Sequence, residues 1–446
     1  MSAVGGALPA VPLRLRGRLL STLVVAAVMG VLLGRFVFAG ANDAPSSIVR
    51  QPKTQSIEQL QLQLRVGGEN ATLLTDLGVA YLNQARATAD PSWYSKAGDA
   101  LQRAQALGPD DARTLTGAGL LALARHDFTA GLSLGQRAHM LEPASPDALG
   151  VIVDAQVELG SYAAAAATAQ EMVDRRPSLA SLSRVSYVRE LHGDTSGALA
   201  AMTQAAAAGS GSGTDAAYVR TLVGDLHLNA GDLDLADASY RRTLADAPGY
   251  GMAEYGLARV AAARGDLDGA ARLLSPLVAR LPFSAWVALL GDVEAARGHV
   301  GEASRQYELV RTIEALNASN GVAVDLEMAR FEADHARDLG ADPIAVVRLA
   351  RAALAARPTI YAEDVQGWAL RQAGDAAAGL PHARAAVRLG TADAVLWYHL
   401  AVIEADLRMS APAAADLAHA FAVNRNLTLR DLPAARQLAA RLGVGA

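Results

Sequence analysis

Residues 224–248 read GDLHLNAGDLDLADASYRRTLADAP, and residues 258–282 read ARVAAARGDLDGAARLLSPLVARLP. The second stretch begins 34 residues after the first, and both carry a Gly-Asp-Leu triplet, a later alanine and a closing proline at matching positions. A repeat of this length is typical of a solenoid built from pairs of antiparallel helices. Proline ends the second helix of each pair, because it cannot continue an α-helix.

The same spacing extends beyond these two stretches. Pro109, Pro143 and Pro177 are again 34 residues apart. Glycine recurs at one phase where the first helix must turn tightly into the second, a conformation that glycine adopts easily; these residues are Gly231, Gly265 and Gly298. Small residues follow five positions later, where two helices pack closely; they are Ala236, Ala270 and Ala303. The sequence therefore predicts an all-α solenoid.

The pattern resembles the tetratricopeptide repeat, whose signature is W-x2-L-G-x2-Y, then A-x3-F, then P. The front of this signature is matched best by Trp397, Leu400, Ala401 and Glu404, and Leu77, Gly78 and Tyr81 match it in the first unit. The resemblance, to bacterial members of the family, implies a right-handed superhelix of about ten helical hairpins over residues 71–425. We expect capping helices at 56–70 and within 426–446, because the end repeats of a solenoid would otherwise expose core.

The repeat pattern is interrupted twice. The unit at about 179–210 lacks its proline and runs into Gly209-Ser210-Gly211-Ser212-Gly213. No strand precedes this run, and the lysine and hydroxyl of a phosphate loop are missing, so we interpret it as an inter-repeat loop. Residues 315–325 also break the period. We expect looser stacking at both places.

The N-terminus predicts a membrane anchor or an export signal. Residues 1–18 form a basic segment with Arg14, Arg16 and Arg18, and an uncharged apolar run follows from Leu19 to Leu33. Residues 19–41 are long enough to span a bilayer, with Arg35 near the far interface. Alternatively, Ala39-Gly40-Ala41 is a cleavage site, and the product is secreted. Either reading places the chain after the linker at 42–55 outside the cytoplasm. A buried helix in a cytoplasmic protein is the third interpretation of this segment.

Composition excludes several classes of function. The formal net charge is −5, and no basic stripe lies beyond the N-terminus, so we expect no nucleic-acid partner. The chain has no cysteine, which excludes disulfides and thiolate metal sites. No nucleophile, zinc-protease or calcium-loop motif occurs. We therefore expect a non-enzymatic protein without a cofactor or a catalytic residue.

One acidic segment leaves an alternative open. It contains Asp325, Glu327, Glu332, Asp334, His335 and Asp338. Carboxylates and an imidazole on one helix face could bind a divalent metal, although a solvated acidic face has the same composition. Metal handling by this segment is therefore an alternative function.

The concave surface is the candidate binding site that the resemblance implies, since the first helix of each hairpin lines it in this family. One predicted ladder of inward positions is Asp154, Tyr187, Asp225, Arg259, Asp292, His335 and Trp368. A neighbouring ladder is Tyr255, Phe331, Asp364 and Tyr398. Aromatic residues and arginine are favoured at protein interfaces. The leading interpretation is a membrane-tethered scaffold for a protein or peptide, and a self-associating spacer of an envelope complex is the alternative. The sequence leaves the oligomeric state open.

Overall fold

The computed structural model describes residues 55–208, 214–323 and 326–445, and within them all regular structure is helical. This confirms the predicted all-α class. The predicted basic segment 1–18, the apolar segment 19–41 and nearly all of the linker 42–55 lie outside the described residues. Among the helices that are described, none is both long and apolar enough to span a bilayer.

The described residues form 22 helices, of which one lies at each end and the other twenty form ten hairpins, the number that the repeats predict. The end helices are α1 (Ile57–Gly67) and α22 (Leu432–Leu442). The first helices of the hairpins are α2 (Ala71–Thr88), α4 (Ala112–Ala124), α6 (Pro146–Glu158), α8 (Leu179–Leu191), α10 (Thr214–Asn229), α12 (Gly251–Ala263), α14 (Ser284–Ala296), α16 (Leu326–Leu339), α18 (Ile360–Gln372) and α20 (Ala394–Asp406).

Each second helix packs against the first helix of its own hairpin and of the next one. The second helices are α3 (Ser92–Leu107), α5 (Phe128–Leu141), α7 (Tyr162–Arg175), α9 (Thr195–Ala208), α11 (Leu233–Asp246), α13 (Leu267–Arg280), α15 (Val300–Ser319), α17 (Pro343–Ala356), α19 (Ala376–Ala386) and α21 (Ser410–Val423). At the N-terminal end, Ser56 and Gln59 form a capping box that starts α1, and Leu60 is buried.

The turns and close packing follow the predicted phase. Gly231, Gly265 and Gly298 have φ values of 83°, 78° and 84°, in the left-handed region that favours glycine. Glycine on the first helices serves a second purpose, because the buried ring of Tyr240 packs between Gly224 and Gly256. A Cβ atom on either glycine would lie 2.5 Å from that ring, so the tyrosine fits only where its neighbours have no side chain.

The superhelix is tight enough for its second turn to pack directly on its first. The Nδ1 atom of His126 lies 2.8 Å from the carbonyl oxygen of Ala323, 197 residues later. The hydroxyl of Tyr162 accepts a hydrogen bond from the amide of Ile360, 198 residues later. Asn424 donates to the carbonyl oxygen of Leu228, 196 residues earlier. One superhelical turn therefore contains about 197 residues, which is close to six repeats.

A buried ion cluster joins the two turns. Arg357, which is 1% exposed, donates to Glu158 at 2.5 Å and to Glu327 at 2.8 Å. We call these three residues the inter-turn cluster. Gly160 lies beside it with a φ of 67°, and a Cβ atom there would overlap the carbonyl oxygen of Pro358. The ion pairs of the inter-turn cluster and the close backbone contact at Gly160 therefore both fix the distance between the two turns.

The period break at 315–325 has a visible structural result. Helix α15 has 20 residues, whereas α13 and α17 have 14 each, so α15 continues for more than one additional turn. Val322 then packs into the core formed by α1, α2, α3 and α4, and the amide of Ala323 donates to the carbonyl oxygen of Arg125 at 3.0 Å. Packing between α15 and α16 is sparse compared with that of other consecutive helices.

Candidate functional site

A cavity of about 440 Å³ lies on the inner side of the superhelix, and we call it the central cavity. Its wall comes from the first helices α8, α10, α12, α14, α16 and α18, from part of α15, from the loop and the start of α20 at 391–395, and from the loop at 424–432. The two loops belong to the second turn, so the cavity forms only because the chain closes on itself.

The structure brings five of the predicted ladder residues together on the cavity wall: Tyr255, Arg259, Asp292, Phe331 and His335. The other six are not on this wall: Asp154, Tyr187, Asp225, Asp364, Trp368 and Tyr398. These six are buried, and the contacts below show that several of them hold neighbouring repeats together.

Asp154 and Asp225 each pair with an arginine of the following hairpin. Arg184 donates to both carboxylate oxygens of Asp154, at 2.8 and 2.7 Å, and both side chains are buried. Arg259 donates to Asp225 at 2.9 Å, and Tyr240 donates to the same oxygen at 2.8 Å. Charge-assisted bonds of this kind fix the spacing of adjacent hairpins. Arg259 thus links the repeat interface to the cavity wall.

Asp292 is the centre of a network that crosses from the repeats to the C-terminal loop. The Nε2 atom of His335 lies 2.9 Å from Asp292, and Tyr307 donates to the same carboxylate at 3.0 Å. Arg430 donates to Asp292 at 3.2 Å and to Asp338 at 2.5 Å. The loop at 424–432 is therefore held across one side of the cavity by charge-assisted hydrogen bonds.

Asp364 and Trp368 both contact His399, which sequence reasoning did not single out. The Nδ1 atom of His399 lies 2.9 Å from Asp364, and its ring stacks on Trp368 with centroids 3.9 Å apart. Burial alone would lower the pKa of His399, but pairing with Asp364 raises it to about 9. This histidine therefore carries a positive charge inside the second turn at neutral pH.

The carboxylates of the acidic segment, which was considered as a metal site, each pair with a different arginine. Glu327 pairs with Arg357, Glu332 accepts two hydrogen bonds from Arg311, and Asp338 pairs with Arg430. Within the described residues no group of three or more His, Asp or Glu side chains converges as metal ligands would. Asp325, the first residue of that segment, lies outside the described residues.

Sequence reasoning missed a buried polar group on the cavity wall. Glu314 and Ser284 line the cavity, and Asn317 lies behind Glu314 on the same helix. These residues do not belong to either ladder: Glu314 and Asn317 are on a second helix, and Ser284 is the first residue of α14. The signal that could have found them is the broken period at 315–325, which marks where that helix is overlong.

Comparison with known proteins supports the repeat pattern. Residues 227–293 match the family model described as tetratricopeptide repeat. A search of curated protein sequences gives no match.

Several solved structures are similar. The APC/C hetero-tetramer Cut9-Hcn1 aligns with 14% identity over 86% of this chain and 92% of that chain, with a TM-score of 0.40. A thermophilic tetratricopeptide-repeat protein of Thermus thermophilus aligns with 22% identity over 47% of this chain and 100% of its own, with a TM-score of 0.37. The human IFIT1 dimer with PPP-AAAA aligns with 12% identity over 74% and 76% of the two chains, with a TM-score of 0.47. With its matched segment and its ten stacked hairpins, the chain is similar to tetratricopeptide-repeat proteins in sequence pattern and in architecture.

Proposed function

We propose that this protein is a non-catalytic scaffold that binds a short extended segment of a partner protein in the central cavity. The observation that carries the proposal is the cavity itself, whose wall combines apolar and aromatic residues with charged residues from several hairpins. A volume of about 440 Å³ lies within the range of roughly 300–1,000 Å³ that is usual for ligand sites. Tetratricopeptide-type architecture supports protein binding in general, and it does not identify the partner.

The dimensions of the cavity favour an extended segment over a helix. An α-helix is about 10 Å across with its side chains and rises 5.4 Å per turn, so a cavity of this size suits a short helical segment at most. An extended chain is thinner and presents alternate side chains to opposite walls. The occupant is therefore a segment of a few residues held by its side chains.

The proposed location is the outer side of a membrane, and it rests on residues 14–41 alone. Three arginines before an apolar run support an orientation with the repeats outside the cytoplasm. Mass determination of the mature N-terminus tests this part of the proposal. An intact N-terminus supports an anchor, a start after Ala41 supports secretion, and a soluble, uncleaved chain in the cytoplasm refutes both.

The binding proposal is tested by filling the cavity. Ala288 lines the cavity on α14, whereas Ala296 near the end of the same helix is exposed. We expect Ala288→Phe to abolish capture of partners from extracts of the source cells, and Ala296→Phe to retain it. Circular dichroism checks that both variants keep the helical content of the parent. Equal capture by both variants would show that partners bind elsewhere.

A further inference from the structure

The loop at 424–432 connects α21 to α22 and forms part of the wall of the central cavity, and we call it the strap. Asn424, at its start, donates to the carbonyl oxygen of Leu228 at 3.0 Å. Arg430, near its end, reaches Asp292 on α14 and Asp338 on α16. The strap is therefore tied to the first turn at one end and to the hairpins of α14 and α16 at the other.

Two leucines of the strap belong to different hydrophobic cores. Leu427 is 6% exposed and is part of the core that α16–α18 and α20–α22 form. Leu429, two residues later, is partly buried against the core that α12–α16 form. Leu427 thus fixes the strap to the C-terminal hairpins, and Leu429 is its apolar contact with the neighbouring core.

A single side chain makes the polar contacts of the strap with α14–α16. One terminal nitrogen of Arg430 donates to Asp292 at 3.2 Å and to the hydroxyl of Tyr307 at 3.3 Å. The other donates to the carbonyl oxygen of Asp334 at 3.0 Å and to the carboxylate of Asp338 at 2.5 Å. Loss of this one side chain would therefore remove four hydrogen bonds at once.

These contacts are far more accessible to water than those of the inter-turn cluster. The side chains of Arg430 and Asp338 are 26% and 45% exposed, whereas that of Arg357 is 1% exposed. Exposed ion pairs stabilise weakly and are screened by salt. The helix after the strap, α22, packs mainly against α21. Opening of the strap should therefore need less free energy than separation of the two turns.

Opening would uncover surface of the cavity wall. Asp292 would lose Arg430, and the core beside Phe331 would lose its contact with Leu429. Both Asp292 and Phe331 line the cavity, together with Leu429 itself. The strap thus covers acidic and aromatic surface that an entering segment could contact.

We propose that the strap closes the central cavity and that Arg430 is the latch that holds it closed. This inference rests on the proposed function, because it describes how a partner segment gains access to the same site. In the closed state, Leu429 and Arg430 occupy surface that the partner segment would use.

The test measures how fast a bulky thiol reagent, fluorescein maleimide, labels a single cysteine in the full-length chain at pH 7. The chain has no cysteine, so an introduced one is the only thiol. Ala262→Cys places it on the cavity wall, where Ala262 is 7% exposed, and Ala296→Cys places it on exposed surface of α14. We expect Arg430→Met to raise the labelling rate of the Ala262→Cys protein at least tenfold. The rate of the Ala296→Cys protein should change less than twofold.

Two further variants control for effects on folding. Arg425→Met is the matched control, because Arg425 lies on the same strap, is exposed and makes no ion pair within the described residues. It should leave the labelling rate of the Ala262→Cys protein unchanged. Asp338→Asn removes one contact of the latch and should raise that rate several-fold. If circular dichroism shows that Arg430→Met loses helical content, Asp338→Asn decides the test.

The salt dependence provides a second readout that a buried structural contact would not produce. At 1 M salt the screening length is about 3 Å, so the exposed ion pairs of Arg430 weaken. Labelling of the Ala262→Cys protein should accelerate several-fold in 1 M sodium chloride. With Arg430→Met added, the rate should no longer depend on salt.

The outcomes separate this inference from the proposed function. An unchanged labelling rate in a folded latch variant, or an equal rise with Arg425→Met, overturns the strap as a closing element. If Ala288→Phe still abolishes partner capture in that case, the scaffold proposal stands with a cavity that is always open. If labelling responds as expected but Ala288→Phe leaves capture unchanged, the strap stands and the scaffold proposal fails.

Discussion

Replacing Arg357 by methionine should detach the second superhelical turn from the first. Methionine keeps much of the volume of the side chain and removes both ion pairs of the inter-turn cluster. Glu158 and Glu327 then remain as carboxylates of which little is exposed. Breaking a buried pair by removing one partner costs about 3–5 kcal/mol, because the remaining charge is not compensated.

The pKa of Glu327 gives a second estimate of the stability lost in Arg357→Met. Although burial alone would raise it, Arg357 and His126 hold the pKa of Glu327 at about 2, below its ordinary value of 4.5. Such a lowering corresponds to about 3 kcal/mol of stability. Since the folded-state pKa is the lower one, this stability is present above pH 4.5 and is lost as the pH falls towards 2. At pH 7 the part of this contribution that Arg357 supplies should disappear in Arg357→Met, while His126 remains.

Urea unfolding followed by circular dichroism measures the loss, and hydrogen exchange locates it. We expect Arg357→Met to lower the free energy of unfolding by about 3–5 kcal/mol at pH 7. Amides of 158–162 and 358–362 should lose protection first, because these segments face each other between the turns. Arg305→Met is the control: Arg305 is 69% exposed in a surface ion pair, so the expected loss is below about 1 kcal/mol.

A double variant sharpens the interpretation. Glu158→Gln removes one of the charges that Arg357→Met leaves uncompensated, so the double variant should be more stable than Arg357→Met alone. The reasoning is refuted if Arg357→Met and Arg305→Met have equal stability, or if protection is lost evenly along the solenoid.

Two further predictions concern the backbone and a charged histidine. Gly160→Ala should destabilise the protein by a few kcal/mol in thermal unfolding, because a Cβ atom would overlap Pro358. Gly374→Ala is the control: its φ is 87° but the space around it is open, so the expected loss is only about 1 kcal/mol. His399 should titrate near pH 9 by NMR. Because its folded-state pKa is the higher one, the stability that it contributes is complete below pH 6.5 and should be lost as the pH rises through 9. Asp364→Asn should remove this pH dependence, and an unchanged profile would contradict the assigned pair.

The local structure was predictable because it depends on residues that recur at one phase. The glycines at 231, 265 and 298 predict turns, and the small residues at 236, 270 and 303 predict close helix packing. Both features depend only on residues within one hairpin. The contacts between turns could not be predicted in this way. Repeat phase does not single out Arg357, because Arg176 ends α7 at the equivalent position. The partners of Arg357, Tyr162 and Asn424 in the other turn are almost 200 residues away, so comparison between repeats does not reveal them.

The candidate site was predictable only in part for the same reason. Helical phase identifies the inner face of each first helix, and this placed Tyr255, Arg259 and Phe331 on the cavity wall together with Asp292 and His335. Helical phase does not predict whether an inward side chain faces solvent or packs against another part of the chain. Asp154 was assigned to a binding surface, but its carboxylate is occupied by Arg184.

The broken period at 315–325 connects the cavity to the packing of the turns. The overlong α15 places Glu314 on the cavity wall, and the residues that follow it place Ala323 against Arg125 of the first turn. Glu327 near the start of α16 pairs with Arg357, and its negative charge adds to the rise in the pKa of Glu314 that burial causes. Since Arg357 holds Glu327 in the inter-turn cluster, the packing of the two turns contributes to the charge balance at the cavity wall.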